Sequence, residues 1–318
     1  MLKQVIIWLI LPVLLLLISC EREFEFDHAG WKSPVVLNGI LQTDSMPATV
    51  YLYHAQEMGD TSKISPVEGA TMWLKSGEDK YAFEYTDSGR YICNIAPLPG
   101  KTYRVNALVG GDTVWAETTI PSGNGLGEVT LDTLEIRPWC YYKMDINDEK
   151  EVDNKYWFWA YQLNEKREYK EDTIIKTGAV EARLAYGFYS KTPYADRFLA
   201  FYDPNTLSGY SVYYDDFLRV PDDGFDGENI IIDIYSVNLS QGNNGMFFMA
   251  AFDKHYDKYM KSYLTHDDYL GRMDELTIYY QPSFVYSNVH NGTGIFGSMA
   301  VKDTIISDNP LFQNYQYD

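Results

Sequence analysis

The sequence is short of histidine, cysteine and positive charge, and each scarcity excludes something. Its 318 residues include 5 His and 3 Cys, and 26 Lys and Arg stand against 45 Asp and Glu, for a formal charge of −19. A polyanion of that size repels DNA and RNA, whose binding rests on Lys and Arg neutralising phosphates, so no nucleic-acid partner is expected. Gly-x-Ser-x-Gly and His-Glu-x-x-His are both missing, which removes two common hydrolase signatures. The histidines (28, 54, 255, 266 and 290) are scattered. His255 and His266 would stand ~16 Å apart on a continuous helix, too far to share a metal. After residue 20 no apolar run approaches the ~20 residues of a membrane span; the most apolar stretch, 245–252, is far shorter.

What is present begins at the first residues. Lys3 precedes an apolar run from Val5 to Ile18, and the run closes on Leu17-Ile18-Ser19-Cys20. The run has the length of a signal-peptide hydrophobic region, and its end resembles the box read by the bacterial lipoprotein signal peptidase. Residues 1–19 are therefore expected to be a signal peptide, Cys20 a lipid-attachment site, and residues 20–30 a lipidated tether. Each buried CH₂ contributes ~0.8 kcal/mol, so several acyl chains hold a protein on a membrane without a spanning helix. The membrane is thus an expected partner through the lipid, and no other cofactor is expected. Loss of Lys3 with the signal takes the formal charge from −19 to −20.

From Val35 the pattern turns to period two, the mark of strands with one buried face. Strands are expected at 35–41, 48–54, 70–75, 81–86, 91–94, 102–109 and 113–120, separated by Gly, Pro, Asp and Ser turns. Seven short strands in about ninety residues predict an immunoglobulin-like β-sandwich over 31–121. A breaker-rich segment, Pro121-Ser122-Gly123-Asn124-Gly125, precedes a larger β-rich domain over 122–318. Its expected strands are 129–136, 139–146, 156–163, 179–188, 229–237, 246–253 and 275–280. Residues 147–154 and 165–172 read as charged, solvated segments. One short amphipathic helix is expected over 253–264, with Tyr256, Tyr259, Met260, Tyr263 and Leu264 on one stripe and Asp253 as N-cap. The 28 tyrosines suit half-buried sheet surfaces and ligand platforms alike.

With Cys20 lipidated, Cys93 and Cys140 remain as an even pair. An oxidising compartment permits a bridge between them, while the alternation of Tyr91, Cys93 and Ile95 suits a buried free thiol; the sequence leaves both open. Asp222-Asp223-Gly224-Phe225-Asp226-Gly227 partly matches a calcium loop, with Asp233 at its twelfth position. Gly224 stands at the third position, however, and the continuation is strand-like, so a carboxylate-rich turn is preferred and no metal is expected. Trp157 and Trp159 fall on one face of a strand, where a core position is preferred to sugar stacking. Asp215-Asp216 and Asp267-Asp268 are adjacent in sequence and need not face each other as a glycosidase pair must.

Several segments in order carry a family resemblance: the Cys20 signal, Val35-Val36-Leu37-Asn38-Gly39-Ile40, Pro66 to Leu74, Gly89-Arg90-Tyr91, Gly100 to Val105, and Ser287 to Gly297. Together they resemble the DUF4249 lipoproteins of Bacteroidetes over nearly the whole mature chain. The resemblance implies that the chain is encoded near TonB-dependent outer-membrane receptors, and it brings no catalytic residues. Acidic residues after Cys20 resemble the export signal to the cell-surface leaflet in those bacteria. The expected function is that of an outer-membrane lipoprotein, a non-enzymatic accessory or ligand-capturing partner of a TonB-dependent barrel. The alternative is a structural or adhesive surface protein. The candidate binding loop is Asn288, His290, Asn291, Gly292 and Gly294, a tight turn whose backbone approaches its surroundings closely.

Overall fold

The computed structural model describes residues 33–43, 45–56, 64–132, 140–170, 173–185, 188–190, 192–196, 213–214, 216–236, 244–271, 284–307 and 313. The signal peptide, Cys20, the tether and the expected strand 275–280 lie outside the described residues. Residues 34–318 form one compact unit.

The chain is mainly β. Its first strands are β1 (Val35–Gln42), β2 (Ala48–His54), β3 (Ser65–Pro66), β4 (Thr71–Ser76), β5 (Asp79–Ala82), β6 (Glu84–Tyr85), β7 (Arg90–Cys93), β8 (Thr102–Val109) and β9 (Asp112–Thr119). There follow β10 (Leu126–Asp132), β11 (Cys140–Asn147), β12 (Lys155–Lys170), β13 (Thr173–Leu184), β14 (Phe188–Tyr189), β15 (Tyr213–Tyr214) and β16 (Leu218–Pro221). Last come β17 (Asn229–Ser236), β18 (Gly245–Phe252), the helix α1 (Lys254–Gly271) and β19 (Thr293–Ile306).

A ten-stranded sheet is the backplane of the molecule. Its main path runs β13-β12-β18-β19-β1-β2-β7-β6, with β16 joined to β12 and β3 to β2. The last strand, β19, lies parallel to β1, with Gly39 opposite Phe296, and antiparallel to β18. The four-stranded sheet β5-β4-β8-β9 and the five-stranded sheet β10-β11-β17-β14-β15 cover parts of this backplane.

Side-chain alternation shows which face each layer covers, because successive residues of a strand point to opposite faces. On β18, Phe247, Met249 and Ala251 enter a core with Met144, Ile146, Ile232 and Ile234 of the five-stranded sheet. Ala250 and Phe252, on the other face, pack with Met260, Tyr256 and Tyr259 of α1. On β19, Phe296 joins Leu37, Val50, Leu74 and Val105 in the core under the four-stranded sheet, while Met299 and Val301 face the helix. The two smaller sheets therefore sit on one face of the backplane and the helix on the opposite one. Near residue 121 the chain passes from the first core to the second, while the large sheet continues through both.

The amphipathic stripe of α1 is the expected one, but the helix runs on to Gly271 rather than stopping near Leu264. Asp253 caps it: Oδ2 accepts the His255 N–H at 3.1 Å, and Oδ1 accepts the Tyr256 N–H at 3.0 Å. Oδ1 also accepts the Ser298 N–H at 2.9 Å, which ties the start of the helix to β19. Residues 165–170, expected as a solvated segment, extend β12 instead and pair with β13. Cys93 is buried as a free thiol that burial pushes above its usual range, which makes it inert. The side chain of Cys140 lies outside the described residues.

Candidate functional site

The expected binding loop lies against the edge strand of the four-stranded sheet. His290 pairs with Trp115 of β9 as one more strand position, its N–H reaching the Trp115 carbonyl at 2.8 Å and its own carbonyl accepting at 3.2 Å. Asn288 uses its whole amide. Its Nδ2 donates to the carbonyls of Glu117 at 3.2 Å and Phe296 at 2.8 Å, and its Oδ1 accepts the Phe296 N–H at 3.0 Å. Asn291 adopts a left-handed conformation (φ +57°), which Asn tolerates, and donates to the Thr113 carbonyl at 2.9 Å. Gly294 is required at its place: φ is +112°, and an added Cβ would stand 2.3 Å from the Leu37 carbonyl oxygen. At Gly292 a Cβ would approach the Val35 carbonyl to 2.6 Å. The close backbone approach foreseen for this loop is thus an approach to β1. The loop joins the two sheets of the first core, and His290 is the one of its side chains with a ring presented outward.

Next to this loop lies a cleft of about 300 Å³. Glu117, Thr119 and Pro121 bound one side, Asp153 and Asn154 another, and Phe252 to His255 at the start of α1 the third. It meets the loop through the Asn288–Glu117 hydrogen bond, and the segment just before the loop through His255 Nδ1, 2.7 Å from the Tyr286 hydroxyl. Burial holds His255 below the usual imidazole range, against the pull of Asp253, so the ring is neutral near pH 7. In the same wall Asp253 is committed to three backbone N–H groups.

The calcium-like turn is a structural clasp. Residues 222–224 form a 3₁₀ turn and 229–236 a strand, so Asp222 and Asp233 do not close one loop; Asp233 accepts from the Tyr141 hydroxyl instead. Carboxylate oxygens of Asp153, Asp222 and Asp223 lie within 4.8 Å of one another. The Lys155 ammonium already stands among them, bonded to Asp153 and lying 3.4 Å from Asp222 and 3.5 Å from Asp223. Burial opposes its charge, yet the three carboxylates hold it above the usual lysine range. Asp148 completes the clasp by accepting from the Tyr156 hydroxyl at 2.6 Å and the Gly227 N–H at 2.8 Å.

Sequence reasoning missed a buried ion network beneath α1. Arg219 on β16 forms a fork to Asp257 (2.6 and 2.8 Å) and reaches Asp196 at 2.6 Å, while Lys261 meets Asp196 at 2.9 Å. Trp157 also donates to Asp257, at 3.0 Å. Trp157 is fully buried and stacked on Phe252, a core residue, while Trp159 is half-buried against Phe248 at the margin of the same cluster. The one available signal was Asp257 on the stripe side of a helix otherwise lined by aromatics.

Among curated proteins no sequence matches this one. Solved structures give weak likenesses only. The full-length major pilin SpaD of Corynebacterium diphtheriae is 10% identical, with a TM-score of 0.18, over 73% of this chain and 64% of the pilin. The collagen adhesin CNA of S. aureus is 9% identical, with a TM-score of 0.20, over 86% of this chain and 95% of the adhesin. A putative carbohydrate binding protein of Bacteroides uniformis is 9% identical, with a TM-score of 0.16, over 70% and 91%. The sequence itself is more decisive: the model of a domain of unknown function, DUF4249, matches residues 21–305, and the chain belongs to that family.

Proposed function

We propose that the protein is a lipid-anchored, non-enzymatic capture protein of the outer membrane that works beside a TonB-dependent transporter. Acyl chains on Cys20 hold it to the membrane, most simply on the cell-surface leaflet. The single observation that carries the capture reading is the cleft beside the 288–294 loop. Three of its polar side chains are each engaged with a neighbour: Asp253 with three amides, His255 with Tyr286 and Asp153 with Lys155. Groups held in that way form a fixed, shaped wall, which suits holding a ligand in a set orientation. A structural or adhesive role on the surface is the second reading. It rests on the same anchor and on the continuous ten-stranded sheet.

The test is a mild-detergent pull-down of the tagged, lipidated chain from its native outer membrane, with partners identified by mass spectrometry. Stoichiometric recovery of a TonB-dependent barrel is expected. Recovery of the chain alone, correctly lipidated, overturns the transporter partnership and leaves the adhesive reading. Cys20→Ala is expected to move the protein out of the membrane fraction; an unchanged membrane fraction would overturn the anchor.

A further inference from the structure

The outward face of the four-stranded sheet carries an arrangement that its own stability does not explain. In the register of β5, β4 and β8, Lys80 lies opposite Lys75 and Lys75 opposite Arg104. Three cations therefore stand side by side on adjacent strands, ~4.8 Å apart, in a chain of net charge −19. Like charges directly opposite each other destabilise a sheet. Among the described residues none of the three forms an ion pair, and Glu117 on β9, the register partner of Arg104, is not within ion-pair distance of it.

Beside this basic row runs an aromatic one. Trp73 lies opposite Asn106, Asn106 opposite Trp115, and Trp115 opposite His290. The rows are layered on each other. Lys80 Nζ lies 4.3 Å from the Trp73 ring centre and Arg104 Cζ 3.7 Å from that of Trp115, whose ring His290 also stacks at 3.8 Å. Two groups that close to one ring centre must cover its opposite faces. Arg104 is thereby fixed in place with its Nε buried and without a hydrogen-bond partner. Lys80 and Arg104 are held by rings rather than by carboxylates, so their charge remains available to an outside partner.

We infer that this face docks an acidic polysaccharide, a chain of pyranose rings bearing carboxylates. The row repeats at the strand spacing, close to the repeat of one pyranose in an extended chain, so successive carboxylates meet Lys80, Lys75 and Arg104. Nucleic acid fits less well, because base stacking needs free ring faces and both faces of Trp115 are covered. A membrane surface fits less well too, since the indoles lie under the cations instead of projecting. The overall negative charge does not prevent docking, because charges beyond a Debye length of ~8 Å are largely screened at physiological salt. The inference rests on the capture reading only in naming what is captured.

The test uses the purified, lipidated chain in detergent micelles, with polygalacturonate oligomers as the probe and their methyl esters as the uncharged control. Binding to the acid form is expected, weak or absent for the ester, and falling as salt is raised. The double variant Lys75→Gln with Lys80→Gln, at two exposed positions, is expected to bind roughly tenfold more weakly, about 1.4 kcal/mol, with unchanged thermal unfolding. No binding of the acid form, equal binding of the ester, or equal binding by the double variant overturns the proposal. Binding to anionic lipid vesicles but not to polygalacturonate also overturns it, and assigns the face to lipid. A chain that still recovers a transporter barrel yet ignores polygalacturonate refutes only this inference; one that binds the polymer but recovers no barrel refutes only the partnership.

Discussion

The two cores of this molecule are closed by different chemistry. Around the first core, buried polar closure is neutral: the Tyr91 hydroxyl donates to the Val67 carbonyl at 2.9 Å and accepts the Ala70 N–H at 3.1 Å, and Tyr103 accepts the Leu98 N–H at 3.0 Å. Around the second core it is ionic, with Arg219 between Asp257 and Asp196 on one side of the large sheet and Lys155 among aspartates at its end. The difference follows from layering. The first core lies between two sheets joined by short turns, and a tyrosine ring fills the gap while its hydroxyl reaches the backbone. The second must also hold a helix on the far face of the sheet, where a fork from Arg219 fixes the rotation and height of α1 in a way that apolar contacts alone do not.

The sharpest way to break this contrast is to strand the buried carboxylates. Arg219→Ala leaves Asp257, itself buried, without its counter-ion, and is expected to cost about 3–5 kcal/mol in chemical unfolding. Arg219→Met with Asp257→Leu removes both charges and is expected to recover most of that loss, because the desolvation cost of each ion disappears with it. A single variant within about 1 kcal/mol of the parent would show that the ionic closure is incidental. The matching change in the first core, Tyr91→Phe, removes one hydroxyl and leaves two backbone groups without their partner. It is expected to cost about 1–2 kcal/mol, less than Arg219→Ala because no charge is stranded. A larger loss for Tyr91→Phe than for Arg219→Ala would reverse the comparison.

The same contrast governs how much could be read in advance. In the first region the strands have one buried face, and the alternation of Leu37, Leu41, Val50 and Leu52 placed β1 and β2 within a residue of their ends. Two things were misjudged there: 81–86 is broken at Phe83 into β5 and β6, in different sheets, and the two-residue β3 was not expected. In the second region β19 escaped entirely. It is a central strand, parallel to β1, with Ile295, Phe296 and Ser298 all buried and Gly294 and Gly297 within it, so it has no period-two pattern to find. Gly297 is small because Tyr256 of α1 sits over it, a contact between segments forty residues apart. The candidate loop was legible as a tight, close-approaching turn. Its attachment to β9 and the layering of Arg104, Trp115 and His290 were not, since register between distant strands leaves no local trace.

The smallest expected effect separates the two regions by pH. His255, packed between α1 and the Tyr286 segment, has its imidazole held down by burial, and the charges facing it are Asp253 and Glu117 against Lys254 and Lys258. A depressed folded value means that the unfolded chain binds the proton more readily than the native one, so stability rises with pH across the window between the two values. That contribution is fully present above the ordinary imidazole value near 6.5 and is lost as pH falls through the lowered native one. His255→Gln, which keeps an acceptor for the Tyr286 hydroxyl, is expected to flatten the fall in unfolding stability between about pH 7 and 5 relative to the parent. If His255→Gln keeps the parent's slope, the acid sensitivity of the molecule does not belong to the helix side, and the contrast between a neutral and a charged closure loses its pH signature.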